Sequence, residues 1–301
     1  FLLLATPAGR GKFDLLSRWA EQLSQPAPRE TVAVVFVPIS SRFNTNLPEL
    51  VLACIAVQLA LLLGEEVPSD YINMPPGFWQ SLVGEYLRRP LPDGRQLLLI
   101  VDGLDEAAWD VDPALFPQDL PETTQVVVST RYLAGDSPGP GRWLGRLGWE
   151  RPRLAEAMAL NTLTREGMRD VLVNMGRPLD ALLDREDVID QLYTLTLGDP
   201  LLVKLYVDWL YEQRKSSVQL QPEDLPKIAP DYHGFFNYWW DAQERLWSQT
   251  GQADPLEKRA VRALLSILAT ALGPLSTSDV RALMPAELSP NKLTIRQALM
   301  P

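Results

Sequence analysis

Three short stretches of this chain carry residue types that could handle a phosphate group. The first is Ala5-Thr-Pro-Ala-Gly-Arg-Gly-Lys-Phe13, which lies between an apolar strand-like run and a helical one. Backbone N–H groups at a helix N-terminus bind phosphate, and the helix dipole favours the negative charge. Gly9 and Gly11 let the backbone approach a ligand closely, and Lys12 supplies a positive charge for the terminal phosphates. The loop Thr6–Phe13, with Ala8 and Arg10 in it, is therefore the candidate phosphate cradle. Against the pattern GxxxxGK[ST], only Gly11 and Lys12 match outright. Thr6 stands at the first glycine position, and Phe13 replaces the hydroxyl that would ligate Mg²⁺. An ordinary glycine-bearing turn competes with this reading.

The second stretch, Leu97-Leu-Leu-Ile-Val-Asp-Gly-Leu-Asp-Glu106, is an apolar run that ends in three acids. In a phosphate-handling site the first acid, Asp102, holds Mg²⁺ directly or through water. A later one, Asp105 or Glu106, polarises an attacking water. A solvated strand end is the alternative. The third stretch, Val126-Val-Val-Ser-Thr-Arg131, puts an arginine at the end of a buried strand, where it could read a γ-phosphate or sit in a surface ion pair. Further on, Leu197-Gly-Asp-Pro-Leu-Leu202 places Pro200 either against an adenine ring or at the first position of an ordinary helix.

The spacing predicts strands over Phe1–Ala5, Val32–Pro38, Leu97–Val101, Gln125–Thr130 and, more weakly, Ala157–Leu160. Helices are predicted over Lys12–Ser24, Leu47–Leu63 and Phe78–Arg88. Continuous apolar strands alternating with helices mean a doubly wound parallel sheet covered on both faces, an α/β fold. Beyond about residue 160 only helices are expected. Thr164 caps a run to Met175, and others cover Asp187–Leu197, Pro200–Glu212, Phe235–Trp247, Leu256–Leu272 and Thr277–Leu283. Gln219–Pro230 reads as a linker and Ser137–Gly141 as a surface loop.

The chain has 301 residues, 46% hydrophobic, and a formal net charge of −10. That length suggests two or three domains with proper cores. The acidic balance argues against nucleic acid as a partner, and the mild basic excess of Leu256–Pro301 reads as a solvated face. A lone Cys54 excludes an intrachain disulfide and a Cys-rich zinc site, and a lone His233 disfavours a Ser/His/Asp triad. The apolar run Val51–Leu63 is shorter than the roughly 20 residues that a membrane span needs. A cytoplasmic protein without a membrane partner is expected. The chain opens inside a strand-like run, so a piece of a longer protein is expected too.

In the order phosphate loop, Asp-Gly-Leu-Asp-Glu, Ser-Thr-Arg and Gly-Asp-Pro-Leu, the chain resembles a STAND-class P-loop NTPase, and Asp102–Glu106 resembles the NACHT branch. Leu256–Leu283 is similar to the opening of that family's winged-helix domain. The resemblance implies a five-stranded sheet in the order 5-1-4-3-2 over residues 1–160, a helical lid over 161–230, and a linker helix with a partial winged helix over 231–301. It implies ATP or ADP as cofactor, held by Thr6, Ala8, Gly9, Arg10, Gly11, Lys12 and Phe13, with Pro200 on the adenine. Mg²⁺ would sit on Asp102, weakened by Phe13. Asp105 or Glu106 would serve the water and Arg131 the γ-phosphate. The implied protein is a conformational switch in signalling or defence, coupled to attached effector and sensor domains, self-associating when active, and at most a slow ATPase. A degenerate assembly scaffold and a STAND-type transcription regulator are the alternatives.

Overall fold

The computed structural model of the chain describes residues 1–66, 74–133, 135, 137, 139–174, 185–212, 234, 236–241, 255–271 and 275–288. It divides into two compact units. The first is Phe1–Leu163 with Asp199–Leu201, and the second is Thr164–Gly198 with Leu202–Pro301.

The first unit is built on five parallel strands, β1 (Leu2–Thr6), β2 (Val32–Pro38), β3 (Gln96–Asp102), β4 (Thr124–Arg131) and β5 (Glu156–Met158). Their order is β2-β3-β4-β1-β5, which read from the other edge is the expected 5-1-4-3-2. Parallel strands need long crossovers, and these carry α1 (Lys12–Leu23), α2 (Pro26–Arg29), α3 (Pro48–Leu63), α4 (Pro76–Leu87) and α5 (Gly141–Leu147). The central strands are apolar on both sides because helices cover both.

Alternation along the strands decides what lies where. Leu97, Leu99 and Val101 join a large core with Ile55 and Leu59 of α3 and Val83 and Leu87 of α4. Leu98 and Ile100 face the other way, with Leu16 and Ala20 of α1. A period of two then carries Asp102 to the α1 side, two residues after Ile100. The same step leads from Leu4 to Thr6, and from Val127 to Ser129 and Arg131.

α3 begins at Pro48 and ends at left-handed Gly64. One face of it is buried, and no described helix is long and apolar enough to cross a membrane. Two local features depart from expectation. β5 lies at Glu156–Met158 rather than Ala157–Leu160, because its register is set by pairing with Leu2–Leu4 of β1. Gly141, read from sequence as loop, opens α5, whose buried Trp143 donates its indole N–H to the Arg131 carbonyl at 2.8 Å. Helices as short as α2 and α5 show no usable period.

In the second unit, α6 (Arg165–Asn174) starts where expected, with the Thr164 hydroxyl accepting from the Gly167 N–H at 3.0 Å. α7 (Glu186–Thr196) lies beside it, with Glu186 taking ion pairs from Arg165 and Arg169. α8 (Pro200–Glu212), whose first two residues count with the first unit, has the bounds expected from the sequence. α9 (Pro255–Thr270) and α10 (Thr277–Leu283) pack around Leu264, Val280 and Met284, the part of the expected winged helix that the described residues cover. Ser276 and Asp279 cap α10 reciprocally. Of the aromatic helix, Trp239 and Trp240 are 6.4 Å apart and Arg262 lies over Trp240. His233, Phe235, Trp247 and the 219–230 linker lie outside the described residues.

Candidate functional site

The phosphate-loop candidate leaves β1 at Thr6 and enters α1 at Lys12. Gly9 and Gly11 both take the left-handed conformation, with φ of 77° and 78°. Gly11 is the N-cap of α1 and leaves the helix without a side-chain cap. The first-turn N–H groups of α1 thus have no competing side-chain acceptor. A Cβ added at Gly11 would meet nothing within 4 Å, so its backbone conformation, rather than crowding, calls for glycine.

Lys12 is only 8% exposed. Its ammonium donates to the Thr6 carbonyl at 3.2 Å, the Thr6 hydroxyl at 3.0 Å and the Pro7 carbonyl at 3.0 Å. Those are all three of its N–H groups. Burial pushes its pKa below the ordinary lysine value, partly opposed by the Asp105 carboxylate. Arg10 is the second cation of the loop. Its Nη1 lies 3.6 Å from the Asp199 carboxylate, and its buried Nε and Nη1 have no hydrogen-bond partner. Asp199 also caps the start of α8, accepting from the Leu201 N–H at 3.0 Å with Pro200 at the first helical position.

Asp102 ends β3 beside the loop and is 7% exposed. It accepts a short hydrogen bond from the Ser129 hydroxyl, which in turn accepts from the Gly103 N–H at 3.0 Å. Burial raises the Asp102 pKa, and the Ser129 bond pulls it back. Gly103 is required twice over. Its φ is 79°, and a Cβ there would sit 2.7 Å from the Ile39 carbonyl oxygen.

The two later acids face Arg131. Asp105 accepts from the Arg131 backbone N–H at 2.9 Å and lies 3.4 Å from its guanidinium, while Glu106 takes Arg131 Nη2 at 2.8 Å. Burial raises the Asp105 pKa, and Arg131 opposes it. The other Glu106 oxygen accepts from the N–H and hydroxyl of Ser41 at 2.9 and 3.1 Å. Asn46 donates to the Glu106 carbonyl at 3.2 Å, which ties the loop after β2 to this motif.

Phe13 stands in the first turn of α1. It is 53% exposed, and it leans toward Phe36 of β2 with ring centres 6.3 Å apart. It lies on the same helix face as Leu16 and Ala20, three and seven positions on, but in the first turn, against Phe36 at the rim of the core they fill.

The geometry thus brings Thr6, Ala8, Gly9, Arg10, Gly11, Lys12, Asp102, Asp105 and Arg131 to the C-terminal ends of adjacent strands, where open α/β sheets bind ligands. Ser41, Asn46 and Ser129 were not singled out from the sequence. Ser129 had a signal, since alternation puts it on the face of Asp102 and Val101 pairs with Val128. Ser41 and Asn46 had none, lying in an irregular loop. A nucleotide's phosphates fit this donor set, with an uncapped helix start, two left-handed glycines and a guanidinium whose buried Nε and Nη1 make no hydrogen bond. A protein-held Mg²⁺ does not fit. Phe13 offers no oxygen and Asp105 and Glu106 are committed to Arg131, which leaves Asp102 alone as a ligand, already hydrogen-bonded by Ser129. A cavity of about 160 Å³, lined among others by Leu52, Trp109 and Leu115, shares no residue with this site.

No family model matches the chain. A search of curated proteins found no match either. Among solved structures the chain is similar to the ORC1 protein of Aeropyrum pernix in complex with DNA, at 16% identity and a TM-score of 0.44, covering 93% of this chain and 69% of that one. The ADP form of the Aeropyrum pernix ORC2 protein gives 12% identity and a TM-score of 0.44, over 93% and 71%. A Signal Transduction ATPase with Numerous Domains (STAND) protein with a tetratricopeptide repeat sensor, from Pyrococcus horikoshii, gives 14% identity and a TM-score of 0.39. This chain spans 34% of that protein's length. At this distance the chemistry has to be read from the chain's own residues.

Proposed function

We propose that the chain is the nucleotide-binding switch module of a STAND-type, NACHT-like P-loop NTPase that holds ADP or ATP. One observation carries the reading. Two left-handed glycines and Lys12 open an uncapped helix, and Asp102 ends the strand two positions away on the same face of the sheet. Residues 1–160 form the nucleotide domain, 161–230 the lid, and 231–301 the linker helix and partial winged helix. The N–H groups of Ala8 through Phe13 surround the phosphates, and Lys12 and Arg10 neutralise them. Pro200, next to the Asp199 that faces Arg10, abuts the base. Arg131 reads the terminal phosphate once it leaves Asp105 and Glu106. Asp105 and Glu106 would orient a water, and with both held in that network, turnover is slow or absent.

Attached effector and sensor domains, self-association on activation, a cytoplasmic setting and a role in signalling or defence complete the proposal. A net charge of −10 argues against nucleic acid as a partner. Salt-dependent DNA binding by this chain would overturn that part.

Calorimetry with ADP tests the core of the reading. Lys12→Ala should weaken binding by about 10- to 150-fold, since a charge-assisted phosphate contact contributes about 1.5–3 kcal/mol. Equal binding by wild type and variant would sink it. A degenerate scaffold is the second reading, favoured by the internal partners that Lys12 and Arg131 already hold. It predicts no ADP binding at all.

A further inference from the structure

The usual phosphate loop has glycine where this chain has Thr6, and the structure gives that difference a consequence. Thr6 is fully buried at the end of β1. Its hydroxyl donates to the Pro7 carbonyl at 3.2 Å and accepts from the Lys12 ammonium at 3.0 Å. With the Thr6 and Pro7 carbonyls this gives Lys12 three acceptors for three protons. A glycine at this position supplies the carbonyl and not the hydroxyl.

We propose that Thr6 sets the affinity of the phosphate site: its hydroxyl clamps Lys12 back onto the loop, and a bound phosphate must break that clamp. This rests on the nucleotide-switch reading. The clamp lies in a water-poor place, where each hydrogen bond counts for more and a lost one is not replaced by solvent. Only a strong, multiply charged acceptor can draw the ammonium out, so the clamp lowers the affinity for ligands with a terminal diphosphate or triphosphate and leaves that for the bare nucleoside unchanged. It also gives the apo loop a closed resting state in which Lys12 carries no vacant donor.

The test is calorimetry of the 301-residue chain with ADP and with adenosine, on wild type, Thr6→Val, Thr6→Ser and Lys12→Ala. Valine keeps the shape and the β-branch and removes the hydroxyl. Thr6→Val should bind ADP about fivefold tighter, the effect of one net hydrogen bond of about 1 kcal/mol. Thr6→Ser, which restores the hydroxyl, should return to within about twofold of wild type. Adenosine binding should not move. A detectable ADP site in Thr6→Val that wild type lacks also supports the clamp. Unchanged or weaker ADP binding by Thr6→Val overturns it, and if Lys12→Ala still abolishes binding, the nucleotide-switch reading stands alone. ADP binding that ignores Lys12, or that neither wild type nor Thr6→Val shows, overturns both. Should Thr6→Val not fold, Thr6→Ala is read in its place against the same outcomes.

Discussion

The two faces of the central sheet are built to opposite specifications. One face stacks Leu97, Leu99 and Val101 against α3, α4 and α5 in a core that reaches Trp79, Trp143 and Trp149. The face toward α1 has a much smaller core around Leu4, Leu16, Leu98, Ile100 and Val127. At its upper end that face gives way to Thr6, Lys12, Asp102 and Ser129, all buried and polar or charged. The first face removes apolar surface from water at no electrostatic cost. The second holds charges whose burial disfavours them. The thick core carries the stability which the site face gives up, as expected where a binding site is organised ahead of its ligand.

Cutting into the thick face should have the largest effect. Leu99 is wholly buried in the middle of β3, so Leu99→Ala should cost about 3 kcal/mol. Urea denaturation of wild type and variant measures it, and a loss under about 1 kcal/mol would mean that this face is not where the stability lies.

The site face should respond in the other direction. Asp102 and Asp105 have pKa values raised by burial, and that of Lys12 is lowered by it. A raised carboxyl favours the fold below its unfolded pKa of about 4, and that advantage is lost as pH rises through the higher folded value. A lowered lysine favours the fold only above its unfolded pKa of about 10.4, and loses that advantage as pH falls through the folded value. At neutral pH all three charges therefore work against the fold. Asp102→Asn keeps an oxygen for Ser129 and removes the charge. It should raise the melting temperature near neutral pH by a few degrees and flatten its rise on acidification toward about pH 4. A lower melting temperature at neutral pH would show that the Ser129 bond outweighs desolvation.

The smallest stability effect belongs to Phe13, at the rim of the α1 face. Its half-exposed ring makes one tilted contact with Phe36, so Phe13→Ser should change stability by no more than about 1 kcal/mol. Wild-type ADP affinity should not depend on Mg²⁺, whereas the serine hydroxyl should confer some dependence. Strong Mg²⁺ dependence in the wild type would contradict the donor set found here.

The sequence alone determined the sheet, because continuous apolar strands such as Leu97–Val101 have no other way to bury both sides than under helices on both faces. It also singled out the Thr6–Phe13 loop and the acids after β3. Glycines, a lysine and carboxylates in those places are unusual enough to be noticed without coordinates. Alternation within β4 would even have put Ser129 on the face of Asp102. What the residues hold was decided only in three dimensions. That Glu106 is bound by Ser41 and Arg131 depends on where the loop after β2 crosses the end of β3, 65 residues away in the chain. That Lys12 turns back onto Thr6, and Phe13 outward toward Phe36, depends on the angle at which α1 leaves the loop and on which neighbours fill the space beside it. A local pattern encodes the period of a strand or helix, but it does not encode which donor reaches an acceptor first once distant segments are packed together.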